Sequence, residues 1–183
     1  YEPRNVKRAH ETFNAIRGSG GKEMTNDLYV RAPPSDVFWY AGQVALISDV
    51  SLEQCIARQW PMIERHAFNL RPLELYPKRG RLEIWTAPGD SEFEVAYNRP
   101  SLTFIQMHRQ VVEGAEKIKT ASIGFQGEVY ERGENGFRTR RTDDGLPARP
   151  EINPGEAGET RPPTEEEYAQ IQREVQGKDE EQE

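Results

Sequence analysis

Histidine is the first residue type to consider for catalysis or metal binding, because its side chain changes charge near neutral pH and binds metals. The chain has three histidines, His10, His66 and His108, and they lie far apart in the sequence. None has a second metal ligand at helical or strand spacing. Ordinary surface or half-buried roles therefore fit them better than a metal or proton-transfer site.

Cys55 is the single cysteine, which excludes an internal disulfide and a cysteine-rich zinc site. It lies beside Leu52 and Ile56 on the apolar face of a predicted helix. That position favours a small buried hydrophobic side chain, and a reactive thiol is the alternative.

Three carboxylates fall within five residues: Asp90, Glu92 and Glu94. Such a group could bind a metal or accept protons. The preceding Pro88-Gly89 turn and the neighbouring Phe93 favour a solvated edge instead. We therefore predict no catalytic, metal-binding or cofactor-binding residue, and a small redox or metal enzyme using Cys55 or these acids is the alternative.

Two segments suggest nucleotide or nucleic-acid binding. Residues 18–22 are glycine-rich and end in lysine, but the Walker motif has Ser or Thr after that lysine, where this chain has Glu23. Residues 132–141 are basic and contain Phe137, a composition that suits RNA. The isoelectric point of 5.2 and an acidic C-terminal segment argue against RNA, so we predict no nucleic-acid partner.

The helix that carries Cys55 is the clearest element in the sequence. Ser51 and Gln54 form a capping box at its start, and apolar residues then recur at three- and four-residue steps. Pro61 removes one helical hydrogen bond, which predicts a kink near residues 57–60. Arg71-Pro72 should end the helix.

Short β-rich segments surround this helix, with Gly42 marking a bulge or a close backbone approach. Predicted strands are residues 28–30, 37–47, 73–76, 82–86, 93–97 and 102–107. Residues 111–120 fit a helix or a strand. The pattern predicts an α+β fold, with a small mainly antiparallel sheet packed against one kinked helix and extended N- and C-terminal tails.

Charge divides the chain into three regions. Residues 1–22 carry five basic and two acidic side chains, whereas residues 143–183 carry four basic and thirteen acidic ones. We predict a flexible basic N-terminal arm over residues 1–26, with a short helix around residues 4–16. The α+β domain should cover residues 27–125, and residues 126–183 should form an extended acidic tail with a short helix at 165–176.

Aromatic residues are the best candidates for partner contacts. Phe38, Trp39 and Tyr40 are consecutive, so at least one must point away from a one-sided core. We predict apolar anchors at Trp39, Tyr40, Trp85 and Tyr97, and charged contacts at Arg138, Arg140 and Arg141. The alternative is that the three tryptophans, Trp39, Trp60 and Trp85, are core residues.

Several strings within residues 27–110 resemble a chloroplast family. They are DLYVRAP at 27–33, VFWYAGQVA at 37–45, DVSLEQ at 49–54, ARQW at 57–60, IERHA at 63–67, LRPLEL at 70–75, LEIWTAPGDSE at 82–92 and VAYNRP at 95–100. In these strings the chain resembles the hypersensitive-to-high-light family of plant and algal thylakoid proteins.

The resemblance implies a nuclear-encoded, plastid-targeted protein on the stromal side of the thylakoid membrane. Its partners would be photosystem core subunits, and its role would be photosystem II protection or repair through protein contacts, without catalysis. The long acidic tail would also suit a permanent peripheral subunit of an algal photosystem I supercomplex. The longest nearly uncharged run, residues 37–48, is about half of what a membrane-spanning helix needs, so we expect peripheral attachment.

Overall fold

The computed structural model describes residues 2–130 and 136–148. They form an α+β fold, as the sequence predicts. Six strands form one antiparallel sheet: β1 (Thr25–Arg31), β2 (Val37–Leu46), β3 (Glu83–Pro88), β4 (Ile105–Met107), β5 (Ile123–Gly127) and β6 (Arg138–Arg140). The helices are α1 (Pro3–Gly20), α2 (Leu52–Leu70), α3 (Pro72–Leu75) and α4 (Glu92–Ala96).

Strand β2 pairs with three other strands, β1, β5 and β6. The strand order is β4-β3-β1-β2-β5, and β6 pairs with β2 beside the start of that strand. The predicted irregularity at Gly42 is confirmed, because the β1–β2 register shifts there and Gly42 has a φ of +125°. A Cβ at Gly42 would lie 2.1 Å from the carbonyl oxygen of Gln126. Glycine therefore allows β5 to approach the bulge.

Helix α2 covers one face of the sheet. The predicted capping box is present, since Ser51 and Gln54 exchange side-chain and backbone hydrogen bonds. Residues on its apolar face are buried against the sheet: Cys55, Ile56, Trp60, Ile63 and Ala67. Pro61 lies inside the helix. The kink at residues 57–60 remains a prediction.

Helix α1 packs on the opposite face, which corrects the expected flexible N-terminal arm. The predicted short helix is real but longer, and Ala9, Phe13 and Ile16 on it are buried. Gly124 of β5 permits this contact, because a Cβ there would lie 2.3 Å from the backbone nitrogen of Phe13. These three apolar residues form one stripe along the helix. The prediction of a solvated arm was based on the basic composition of the segment, which does not show this stripe.

An aromatic cluster lies on the same face as α1. It consists of Tyr29, Phe38, Tyr40, Trp85, Ala87, Val95 and Phe104, with Leu102 and Phe137 packed against it. Phe137 precedes β6 and comes from the predicted C-terminal tail. The structure therefore corrects the expectation that the domain ends near residue 125, since residues 136–148 pack on the sheet. The helix predicted at residues 165–176 lies outside the described residues.

Two strand predictions are wrong. Residues 73–76 lie in α3 and the 3-10 turn Tyr76–Lys78, and residues 93–97 lie in or directly after α4. Segments this short fit both helical and strand periodicity, so flanking residues decide. The predicted strand at 102–107 is shorter, Ile105–Met107, and the undecided residues 111–120 contain the 3-10 turn Ala115–Lys117.

Over residues 2–130 and 136–148, no helix has both the length and the apolar character needed to cross a bilayer.

Candidate interaction surface

Two exposed aromatic rings lie side by side on α4. Phe93 is 70% exposed and Tyr97, which directly follows the helix, is 57% exposed, and their ring centroids are 5.1 Å apart. Val95 points the other way, is 1% exposed and belongs to the aromatic cluster. Helix α4 is therefore fixed by an apolar residue on one side and presents two rings to solvent on the other.

Asp27 of β1 holds the turn before α4. One of its carboxylate oxygens accepts hydrogen bonds from the Ser91 backbone N–H at 2.8 Å and the Ser91 hydroxyl at 3.0 Å. The other accepts from the Asp90 N–H at 3.1 Å and from the Gln43 side-chain amide at 2.6 Å. Burial raises the pKa of Asp27, and these donors act in the opposite direction. A fully buried carboxylate with four donors thus sets where α4 begins.

Arg17 connects α1 to the same network. Its guanidinium donates to Gln43 Oε1 at 2.8 Å and to Asp90 Oδ2 at 2.7 Å. The Gln43 amide also donates to Asp90 Oδ1 at 2.8 Å. The Arg17–Asp90 ion pair is more than one-third exposed on both sides, so solvent screens it and its main effect is to orient the groups.

The predicted anchors Trp39, Tyr40 and Trp85 are buried, at 8%, 5% and 3% exposure. Trp39 lies in the core under α2, whereas Tyr40 and Trp85 belong to the aromatic cluster on the other face. Both faces of the sheet are covered, so each of the consecutive aromatics finds a packed environment. This corrects the prediction of exposed anchors and confirms the alternative of three core tryptophans, since Trp60 is 4% exposed.

Arg141, predicted as a partner contact, is 1% exposed. Its guanidinium lies 4.3 Å from the Phe104 ring centroid and donates to the carbonyls of Leu102 at 2.6 Å and Gly145 at 3.3 Å. Burial lowers the pKa of Arg141 to about 10. Its Nε and Nη2 have no hydrogen-bond partner within the described part of the chain. Arg141 therefore fastens residues 142–147 to the aromatic cluster and is not available on the surface.

Arg138 and Arg140 of β6 are exposed, as a partner contact would require. The Arg138 guanidinium lies 5.3 Å from the Trp39 ring centroid. Arg140 pairs with Asp36 at 2.7 Å, and both side chains are more than half exposed. Tyr97, Arg138 and Arg140 are thus the predicted contact residues that the structure leaves accessible.

The residues considered for chemistry are placed differently. Cys55 is fully buried, its Sγ accepts a hydrogen bond from Gln59 at 3.3 Å, and burial raises its pKa to about 12. Reactive thiols need the thiolate form and access to solvent, so this position does not favour a redox role. Asp90 is bound to Arg17 and Gln43. No three His, Cys, Asp or Glu side chains among the described residues are grouped to hold a metal ion.

No family model matches the sequence, and neither a curated protein nor a solved structure matches it.

The sequence prediction missed Phe93, the more exposed ring of the pair. It treated residues 93–97 as a strand, in which Phe93 and Tyr97 share a face with Val95. Ser91 followed three residues later by Glu94 is a helix-start signature that could have indicated α4. A helical assignment places Phe93 and Tyr97 together and Val95 apart from them.

Proposed function

We propose that this chain is a non-catalytic accessory or peripheral subunit that docks on the stromal face of a photosystem through protein contacts. The observation that carries the proposal is the exposed pair Phe93 and Tyr97 on α4. Exposed aromatic side chains on a rigid support are typical anchors of protein interfaces, since they bury a large area at little entropic cost.

The rigidity of α4 supports this proposal. Val95 is inserted in the aromatic cluster, and the turn before α4 is bound to the buried Asp27 carboxylate. The rings therefore need little reordering when a partner covers them. Arg138 and Arg140, exposed on β6, supply charges for a partner with acidic groups.

The photosystem is proposed from the resemblance of residues 27–110 to the hypersensitive-to-high-light family. By that resemblance the role is protection or repair of photosystem II. A permanent place in an algal photosystem I supercomplex is the alternative, and both require the same kind of preformed protein surface.

Affinity capture from gently solubilised thylakoids tests the proposal. The tagged full chain should recover photosystem core subunits, which mass spectrometry identifies as photosystem I or II. Near-equal amounts indicate a structural subunit, and substoichiometric amounts indicate an assembly or repair factor. Recovery of neither photosystem overturns the proposed function.

A variant pair tests the surface. Changing Phe93 and Tyr97 to Ser should reduce capture by at least about tenfold, because hot-spot aromatics contribute roughly 2 kcal/mol or more each. Leu73→Ser is the control, since Leu73 is 85% exposed on α3. Equal capture by the double variant and this control would show that the contact surface does not include α4.

A further inference from the structure

We propose that the groove between α1 and α2 binds the chain's own acidic C-terminal segment, residues 164–183. The groove has a volume of about 400 Å³, and Ile123 of β5 is among its lining residues. The proposal concerns a contact within the chain and stands independently of the photosystem role.

The groove has an apolar floor. Val6 and Ala9 of α1, Met62 of α2 and Ile123 of β5 are its apolar lining residues. Ala9 and Ile123 are buried in the main core, whereas Val6 and Met62 are only partly buried. Two apolar side chains therefore remain available for a ligand that enters from solvent.

The rim of the groove is mainly positive. Arg8 of α1 and Arg58 of α2 line it, with Glu2 as the one acidic lining residue. Arg8 and Arg58 are exposed, and neither forms an ion pair with another described residue. Lys117 and Lys119 are exposed just before Thr120, another lining residue. An apolar floor with a basic rim suits an acidic amphipathic segment.

Residues 164–183 have this composition. They contain eight acidic and two basic side chains. Tyr168, Ile171 and Val175 follow at steps of three and four residues, which places them on one face of a helix. An amphipathic helix can lay such a stripe into a hydrophobic groove while its acids meet a basic rim. Arg8 and Arg58 are the groups that these acids would meet.

The chain is long enough for this contact. Fifteen residues, 149–163, separate the last described residue, Ala148, from this segment. Fully extended they span up to about 50 Å. The five strands of the main sheet are together roughly 20 Å wide. A tether of this length gives an effective concentration on the order of millimolar, so even a weak groove ligand would be bound much of the time.

Thiol labelling of the full chain tests the contact. Met62→Cys places a thiol in the groove, and the native Cys55 is fully buried. Adding Ile171→Asp should speed labelling of this thiol by roughly fivefold, because it removes the apolar stripe that shields the groove. Gln170→Asp is the matched control, since it adds the same charge on the opposite helical face and should leave the rate unchanged. The chain without Met62→Cys gives the background.

A second measurement uses a synthetic peptide of residues 164–183. It should bind the full chain carrying Ile171→Asp, in which the chain's own segment no longer competes. Arg8→Glu with Arg58→Glu should weaken this binding by at least about tenfold, and added salt should weaken it too.

Three outcomes would overturn the proposal. One is equal labelling of the Ile171→Asp and Gln170→Asp chains, and another is a peptide that does not bind. The third is shielding that increases with protein concentration, which would assign the groove to a second copy.

Discussion

Asp27 and Ser91 are 64 residues apart in sequence and share two hydrogen bonds, from the Ser91 N–H and the Ser91 hydroxyl to one carboxylate oxygen. This relationship connects the interior of the sheet to the start of α4. The position of the exposed rings on α4 therefore depends on a residue that no partner can touch.

Replacing Asp27 with Ala should lower the free energy of unfolding by about 2–4 kcal/mol, since several buried donors lose their acceptor. Ser91→Ala removes a single hydroxyl donor and should cost about 1 kcal/mol. Urea unfolding of both variants measures the difference. A Ser91→Ala cost equal to that of Asp27→Ala would show that the carboxylate is not the organising group.

Gly124→Ala should separate α1 from the sheet. The added Cβ would lie 2.3 Å from the Phe13 nitrogen and 2.4 Å from its Cα, and backbone cannot move aside as a flexible side chain can. We expect a loss of at least about 2 kcal/mol and faster hydrogen exchange in α1. Gly18→Ala is the control, because a Cβ there meets nothing within 4 Å and should stabilise the helix slightly.

Cys55 should make the protein sensitive to alkaline pH. Its pKa is about 12 in the folded chain against an ordinary value of 9.0. A raised pKa contributes stability below pH 9 that is lost as the pH rises towards 12, since the unfolded chain then releases its thiol proton first. From pH 8 to pH 10, the free energy of unfolding should fall by about 1 kcal/mol more in the native chain than in Cys55→Ala. Equal falls would exclude this contribution.

The three arginines near β6 should behave as two classes. Arg138→Ala with Arg140→Ala should weaken partner docking most at low salt and leave the urea midpoint unchanged, because both side chains are exposed. Arg141→Ala should lower the midpoint, since the Leu102 carbonyl loses its guanidinium donor and the Gly145 carbonyl keeps only the Phe104 N–H. Equal docking of the double variant and the native chain at low salt would remove these arginines from the interface.

Short sequence signals predicted those structural features that depend only on neighbouring residues. The Ser51–Gln54 capping box fixed the start of α2, and the irregularity at Gly42 followed from a glycine inside an apolar run. Each of these signals lies within a few residues of the feature it predicts.

The missed features depend on contacts between distant residues. The sequence of α1 alone suggests a solvated arm, because its burial depends on the contact between Phe13 and the distant Gly124 of β5. Strand β6 has no apolar run and is defined by pairing with β2. The candidate site was half predicted: Tyr97 was expected, whereas Phe93 was missed. The apolar spacing of residues 93–97 fits a helix and a strand equally, and the only helix signal is the Ser91–Glu94 pair at its start.

The pairing of β6 with the start of β2 has a consequence for how the chain reaches its native state. Val37 pairs with Arg140, so this edge of β2 stays open until more than a hundred further residues have been synthesised. A growing chain therefore presents unpaired backbone groups at this edge while residues 38–140 are made, which favours pairing with other chains. The last native contacts are non-local, so we expect folding to finish only after β6 leaves the ribosome and to be slow for a domain of this size.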